Sequence, residues 1–342
     1  MPCSRRTFLQ ALSLTLCLPN LKGWASTAAP AFTLGSIPAP ATIQRIVSAG
    51  APADMLLLAA APEKLLGFSS FDFSRLPHPP LAQEFAHLRK LGRLAGRAST
   101  LSLETLVALA PDLIVDCGNA DENWISQARR VGARSGIPWV LISGTLATSA
   151  QQLLTIGEIV DRPTRTQVQA ALAQRFINDA LAFSHSAGAA HSFYAARGAK
   201  GLETGLAGSL HTEAAELLGL TNVARAAGRA GLSQVSLENL LQWQPDIILT
   251  QEATTWRHIT QDPRWRAVDA VAKGKVLLLD GLPFGWLDAP PGINRLAGLR
   301  RLHGWLDPQI QTTLQADLTR YSTLFWHTPL SSQRYAELMR PA

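Results

Sequence analysis

Two stretches of this chain are near-copies of each other. "SLETLVALAPDLIV" runs from Ser102 to Val115 and "SLENLLQWQPDIIL" from Ser236 to Leu249. Each opens Ser-Leu-Glu, carries a second leucine (Leu106, Leu240) one helical turn on, and ends in Pro-Asp followed by branched aliphatics. Glu104 precedes Pro111 by the same interval as Glu238 precedes Pro245. A serine cap, a short amphipathic helix, a proline stop and a buried strand describe one α–β unit. Two distant copies cannot form a solenoid, which needs several contiguous repeats. They constrain the chain to two similar lobes, each using the unit once.

The flanking sequence supports this. Residues 45–50 ("RIVSAG") read as a strand, 53–61 as a helix, and 65–69 ("LLGFS") as a second strand. A helix at 102–109 with Ser102 as its cap leads into a strand at 112–118; a helix at 123–132, closed by Gly132, leads into a strand at 138–144. The second half repeats the grammar: strands at 192–198, 246–252 and 275–281, and helices at 211–219, 236–243, 263–274 and 293–306. Such alternation predicts βαβ units and mainly parallel sheets. Between the halves, Pro163 divides a helical region, and the longer helix, 164 to about 184, would span about 30 Å, a domain's diameter. The expected organisation is a leader or linker over 29–42, an N-terminal lobe over 43–146, connecting helices over 147–188, a C-terminal lobe over 189–310 and a helical tail over 311–342. The fold class is α/β: two Rossmann-like lobes joined by one long helix, with a ligand cleft between them.

Residues 1–28 stand apart. Arg5 and Arg6 precede a short apolar stretch and then small residues, the layout of an export signal. "SRRTFLQ" also resembles the twin-arginine type, which implies export of a folded chain, with cleavage expected near Ala28. Leu16 before Cys17 argues against lipid attachment. Removing Arg5, Arg6 and Lys22 halves the formal charge of +6, and no dense Lys/Arg run remains to suit nucleic acid. Cys117 alone survives, so no internal disulfide is expected. The eight histidines are scattered, without the pairing a metal site needs. Neither Gly-x-Ser-x-Gly nor His-Glu-x-x-His occurs, and no catalytic residue is nominated.

In open α/β lobes ligands bind beyond the carboxyl ends of the strands. The loops there carry Phe71, Phe73, Trp124, Trp256, Phe284 and Trp286, with the cations Arg197, Lys200 and Arg295. Aromatic walls with a few cations suit a bulky, partly apolar anion; for any single aromatic, plain packing is the alternative. "PPGIN" before Arg295 describes a stiff turn at a helix N-terminus, where free amides favour an anion. There Asn294 could add a donor and Arg295 a charge, the alternative being a cap with a solvent-facing arginine. Removing Arg295 is expected to leave folding intact, since a cation does not favour a helix N-terminus. "RGAKGLETG" (197–205) lacks the Gly-Lys-Ser/Thr ending of a phosphate loop. It reads as a ligand-facing loop with Arg197 and Glu203 as candidates.

The order "RIVSAGAPADMLLLAAA", "LSLETLVALAPDLIV", long helix, "VSLENLLQWQPDIIL", "DPRWRAVDAVAKGKVLLLDG" resembles the periplasmic substrate-binding proteins of iron-chelate and vitamin B12 ABC importers. The resemblance covers about residues 43–308. It implies a monomeric, periplasmic solute-binding component that captures a metal chelate in its cleft and delivers it to a membrane permease and its ATPase. A ferric siderophore is the first expectation, and haem, cobalamin or an oxyanion such as molybdate are alternatives; the protein would carry no cofactor of its own. Glu104 and Glu238 match the family's glutamates that pair with permease arginines. Two acids on two lobes make a wide electrostatic template, whereas favourable interaction with the helix dipole is the simpler alternative. A chelatase-like enzyme on the same architecture is the reading from another class, and it would need a catalytic histidine or acid pair in the cleft.

Overall fold

The computed structural model describes residues 30–74, 82–95, 99–118, 120–226, 231–281 and 285–339. The expected export signal and Phe284 lie outside the described residues.

The N-terminal lobe contains, in chain order, β1 (Phe32–Leu34), β2 (Ile46–Ser48), α1 (Ala51–Ala60), α2 (Gln83–Ala86), α3 (Leu103–Ala108), β3 (Leu113–Gly118), α4 (Glu122–Ser135) and β4 (Trp139–Ser143). Its sheet runs β1-β4-β3-β2. β2, β3 and β4 are parallel, with Ser48 opposite Val115 and Cys117 opposite Ile142, and β1 caps the edge antiparallel to β4. Two helices follow, α5 (Ser149–Ile159) and the 21-residue α6 (Pro163–Phe183). The C-terminal lobe comprises β5 (Ser192–Ala195), β6 (Glu203–Gly205), α7 (Glu213–Leu217), β7 (Thr221–Asn222), β8 (Leu232–Gln234), α8 (Leu237–Trp243), β9 (Ile247–Thr250), α9 (Ala253–Gln261), α10 (Asp269–Ala272), β10 (Val276–Leu278) and α11 (Arg295–Leu306). Its main sheet runs β10-β9-β5-β7, all parallel. β6 and β8 form a separate antiparallel ribbon. The chain ends in α12 (Pro308–Phe325) and α13 (Ser332–Met339).

The duplicated stretches occupy equivalent places, α3–β3 and α8–β9, and the repeated residues do the same work in each. Ser102 accepts from the Thr105 amide at 3.1 Å, and Ser236 from the Asn239 amide at 3.3 Å. Ala110 and Gln244, the residues before the prolines, both turn into the left-handed region at φ 43°. Each helix is thus stopped one residue short of a proline that would not tolerate a helical predecessor. The aspartate after each proline ties the unit to the neighbouring strand. Asp112 Oδ2 accepts from the amides of Gln44 and Arg45 at 2.8 Å, at the start of β2. Asp246 Oδ2 accepts from the amide and hydroxyl of Ser192 at 2.8 and 2.7 Å, at the start of β5. These hydrogen bonds hold the Asp246 carboxyl below the usual aspartate value. Leu106 with Ile114, and Leu240 with Ile248, are the matching apolar residues of the two outer cores.

One inner core runs without a break from the N-terminal sheet through α5 and α6 to β5, β9, α11 and α12. Polar contacts reinforce it. Arg300 is buried and donates to Asp179 on α6 at 2.7 Å and to Asp317 on α12 at 2.8 Å. Gln169 on α6 reaches Ala59 O on α1 and Leu324 O on α12, both at 2.7 Å. The C-terminal helices therefore return to brace the connector against both lobes. The long helix α6 joins the lobes, and α11 and α12 pack against it.

Three local expectations are corrected. Residues 65–69 form isolated bridges, Ile46 to Leu65 and Phe68 to Lys90, instead of a strand. The helix expected to close at Gly132 continues to Ser135 and is capped by the left-handed Gly136. Gly132 faces inward, where an added Cβ would lie 2.2 Å from Leu34 Cδ2, so it serves close packing and not termination. Residues 263–274 break at Val268 into a 3-10 turn and α10. α9 and the β6–β8 ribbon are additional elements.

Asp112→Ala and Asp246→Ala should each lower stability by about 1–2 kcal/mol, because each frees two hydrogen bonds to a charged acceptor. Thermal melts of the single variants at neutral pH test this. Comparable losses are expected from the two lobes, and an unaffected Tm in either would show that its strand start is held by other contacts.

Candidate functional site

The cleft opens where the carboxyl ends of β2, β3 and β4 face the C-terminal lobe. Its volume is about 290 Å³. The N-terminal lobe supplies Gly50, Ala51, Pro52, Arg93, Ala95, Gly118, Trp124, Gly144 and Thr145; the C-terminal lobe supplies Leu210, Glu213, Pro291 and Arg295. The start of α1 points here, with Gly50 as a cap that offers no side-chain acceptor to the first-turn amides. Trp124 forms an aromatic wall, its ring set against Gly118, where an added Cβ would come within 3.2 Å. At Gly144 a side chain would meet Gln152 at 2.4 Å and Thr148 at 2.5 Å, so glycine allows close packing behind that wall.

Two arginines define the electrostatics. Arg295 donates through Nε to Gly292 O at 3.0 Å and through Nη1 to Leu210 O at 2.9 Å, and it is ion-paired with Glu213. Its Nη2 makes no hydrogen bond among the described residues. Glu213 also accepts from the Leu146 amide at 3.0 Å, so this acid latches the two lobes together beside the cleft. Arg93 differs. Its backbone is pinned, the amide donating to Thr100 Oγ1 at 2.9 Å and the carbonyl accepting from the Thr100 amide at 2.8 Å. Its half-buried guanidinium has no ion pair or hydrogen bond among the described residues. The pair Arg295–Glu213 is neutral overall, leaving Arg93 as the uncompensated charge among the described residues that line the cleft.

The remaining candidates fall elsewhere. Arg197 is locked to Asp288, whose side chain is 0% exposed, and its Nε lies 3.5 Å from Glu203. His211 Nδ1 and Gln251 Nε2 also donate to Asp288. Burial would raise the Asp288 carboxyl, but the hydrogen bonds from His211 and Arg197 and the arginine's charge hold it below the usual value. Gln251 Oε1 in turn accepts from the amides of Leu287, Asp288 and Ala289 at 3.0–3.2 Å. Arg197 therefore fastens the loop that carries Pro291 and Arg295 and does not line the cleft. Glu203 sits on β6, bonded to Gln234 at 3.2 Å.

Trp286 is fully buried and stacks on Trp326 with centroids 6.2 Å apart, so it is a core residue. Asn294 is 0% exposed and donates to Gly285 O at 2.5 Å and Pro290 O at 3.0 Å. It makes no side-chain cap and bends the loop instead. Trp256 packs over β10, its Nε1 3.3 Å from Val276 O, facing a separate depression lined by Arg301, Trp305 and Met339. Phe71 stacks on Phe73 at 5.8 Å, within the aromatic cluster around Phe68. Of the aromatics nominated from sequence and described here, Trp124 alone lines the cleft. The expectation that Arg295 is dispensable for folding is also corrected, because its loss would strand Glu213 and the Leu210 and Gly292 carbonyls.

Arg93, Glu213 and Asp116 escaped sequence reasoning. Asp116 lies on β3 two residues from Gly118, with one carboxylate oxygen bound to the Cys117 amide at 2.9 Å and the other buried without a partner. Burial pushes its carboxyl up to about 7. Among the described residues no cluster of three or more His, Cys, Asp or Glu could hold a metal ion. No helix among them is long and apolar enough to cross a membrane.

Glu104 and Glu238 are exposed, each at the second helical position of its unit. In α8 Asn239 completes the capping box by accepting from the Ser236 amide at 2.9 Å, and in α3 Thr105 Oγ1 lies 2.9 Å from Ser102 Oγ. Since α3 and α8 run antiparallel to the strands they precede, both acids lie toward the cleft edge of their sheets.

Two α/β lobes of parallel strands, joined by a long helix around an interlobe cleft, define a solute-binding protein. The sequence profile described as periplasmic binding protein matches residues 49–282, and the chain belongs to that family. It is a family of binding proteins, not of catalysts. An ABC transporter solute-binding protein from Sulfurospirillum deleyianum has a similar structure, with a TM-score of 0.77 and 22% identity over 90% of this chain and 99% of that one. The molybdate-binding protein MolA of Haemophilus influenzae gives 0.65 and 23%, over 86% and 96%. The vitamin B12-binding protein BtuF of Vibrio cholerae gives 0.60 and 22%, over 80% and 99%. No curated protein sequence matches the chain.

Arg197→Ala should destabilise the protein by about 3–5 kcal/mol, the cost of leaving a buried carboxylate without its cation. A denaturant melt checks it, and a loss below about 1 kcal/mol would show that Asp288 is held by His211 and Gln251 alone. Asp116 gives a pH signature. Its folded value lies above the unfolded value near 4, so its contribution to stability is present below about pH 4 and is lost as pH rises through about 7. Asp116→Asn should therefore flatten the decline in Tm between pH 5 and 8, and an unchanged pH profile would contradict the assignment.

Proposed function

We propose that this protein captures an anionic metal species in the interlobe cleft and hands it to an ABC permease in the inner membrane. The observation that carries this reading is Arg93, a cation whose backbone is held by Thr100, whose guanidinium has no ion pair or hydrogen bond among the described residues, and which lines the same cleft as Arg295. A free guanidinium at such a site presents a planar, two-pronged donor suited to carboxylate, catecholate or oxometalate oxygens. The open first turn of α1 adds amides of the same polarity. Export to the periplasm, by the signal expected in residues 1–28, fits a binding protein that works beside the membrane.

A ferric siderophore or similar iron chelate is the class favoured by the resemblance, and structural relatives that bind vitamin B12 and molybdate bracket the range of sizes. The geometry favours the compact end. The cavity is at the lower bound of about 300 Å³ for small-molecule sites, and Trp124 is the one aromatic among the described residues that line it. The volume supports a small ferric chelate such as ferric citrate, or a bare oxyanion such as molybdate, over haem or cobalamin. Glu104 and Glu238 are then the permease-docking pair, exposed on both lobes.

Titration calorimetry with ferric citrate and with sodium molybdate separates the two classes. Arg93→Ala should raise the dissociation constant for the species bound by about 10- to 150-fold, the span of a charge-assisted hydrogen bond of about 1.5–3 kcal/mol, with Tm unchanged. Arg295→Ala should lose affinity and stability together. If Arg93→Ala binds as tightly as the parent, the cleft reading fails.

A further inference from the structure

Large apolar side chains stand in solvent at five places among the described residues: Val107 (51% exposed), Val168 (42%), Leu181 (43%), Leu232 (38%) and Leu241 (38%). One exposed aliphatic needs no explanation. Val107 and Leu241 form a matched pair, because they occupy the same position in the two copies of the duplicated unit. Each lies three residues beyond its glutamate, Glu104 or Glu238, and so shares a helical face with it. The buried leucines Leu106 and Leu240 point the other way, into the outer cores. Neighbouring positions have diverged: Thr105 became Asn239 and Ala108 became Gln242. What both copies keep in solvent is an acid with an aliphatic one turn away.

We infer that Val107 and Leu241 are the apolar half of a duplicated docking surface, each seating against an apolar hollow beside a permease arginine. The inference rests on the docking reading of Glu104 and Glu238. Physical grounds favour the pairing. An exposed ion pair alone contributes about 0–1 kcal/mol and is screened by salt. An aliphatic side chain buried alongside it removes water from the pair and adds its own burial free energy, the arrangement that concentrates binding energy in an interface. The partner's symmetry also follows. Two lobes carrying the same acid–aliphatic unit call for a counter-surface that repeats the same basic-apolar unit twice, as two identical permease subunits related by a two-fold axis would.

The test begins with a photo-crosslinking residue at Val107 or Leu241 of the full chain in its own cells, with Val168 and Leu181 as control positions. Val107 and Leu241 should each trap an ABC permease subunit, identified by mass spectrometry, and the controls should not. That importer, reconstituted in nanodiscs, then serves for affinity measurements. Val107→Ser with Leu241→Ser should raise the dissociation constant at least tenfold, with an unchanged melt because both side chains are exposed; Val168→Ser with Leu181→Ser should not change it. If Glu104→Ala with Glu238→Ala abolishes binding while the serine pair binds as the parent does, the apolar half is overturned and the docking glutamates stand. If both pairs bind as the parent does, the docking reading falls and this inference with it. An equal loss in the Val168/Leu181 variant would mark general surface adhesion and also overturn it.

Discussion

An aspartate following a proline sets the geometry of each lobe. Asp112 and Asp246 hold the neighbouring parallel strand by its opening residues, so β2 and β3, and likewise β5 and β9, start level. Strands that start level and run parallel end along one edge. At that edge the N-terminal lobe places Gly50, Gly118 and Gly144, and the C-terminal lobe brings up Pro291 and Arg295. The helices of the duplicated units run the other way, which carries Glu104 and Glu238 toward the same edge. One local interaction used twice thus determines where the cleft forms and where the two glutamates stand.

The space between the lobes is governed by the bundle of α6, α11 and α12 and by Glu213. Arg300 is deeply buried between Asp179 and Asp317, a geometry in which removing one partner costs far more than the pair contributes. With the inner core continuous across both lobes, large hinge motions would have to break well-packed contacts. Small adjustments around the Glu213–Leu146 hydrogen bond are the cheaper route to admitting a ligand. A partner that reads two acids at a fixed separation benefits from such stiffness.

The two-lobed α/β plan, the long helix and the capped units were legible in the sequence because they rest on local rules: serine caps, prolines and strand runs. The cleft was only half legible. Arg295 lines it, as does Trp124, but Trp286 and Asn294 lie in the same loop and turn inward. Whether a loop residue faces a cavity or the core is decided by distant partners, here Trp326 for Trp286 and the Gly285 and Pro290 carbonyls for Asn294. Arg197 reads as a ligand cation until Asp288 is seen to hold it. Arg93 was missed for the converse reason: it lies in a stretch without strand or helix periodicity, and only tertiary folding brings it to the edge of β2.

The most direct test of the cleft assignment is a crystal structure of protein purified from its own periplasm, with anomalous scattering used to locate metal. The account predicts a metal centre between the lobes, its anionic oxygens within hydrogen-bond reach of the Arg93 guanidinium and of Arg295. A metal bound anywhere else on the chain, or a filled cleft in which Arg93 turns away from the ligand, would contradict it.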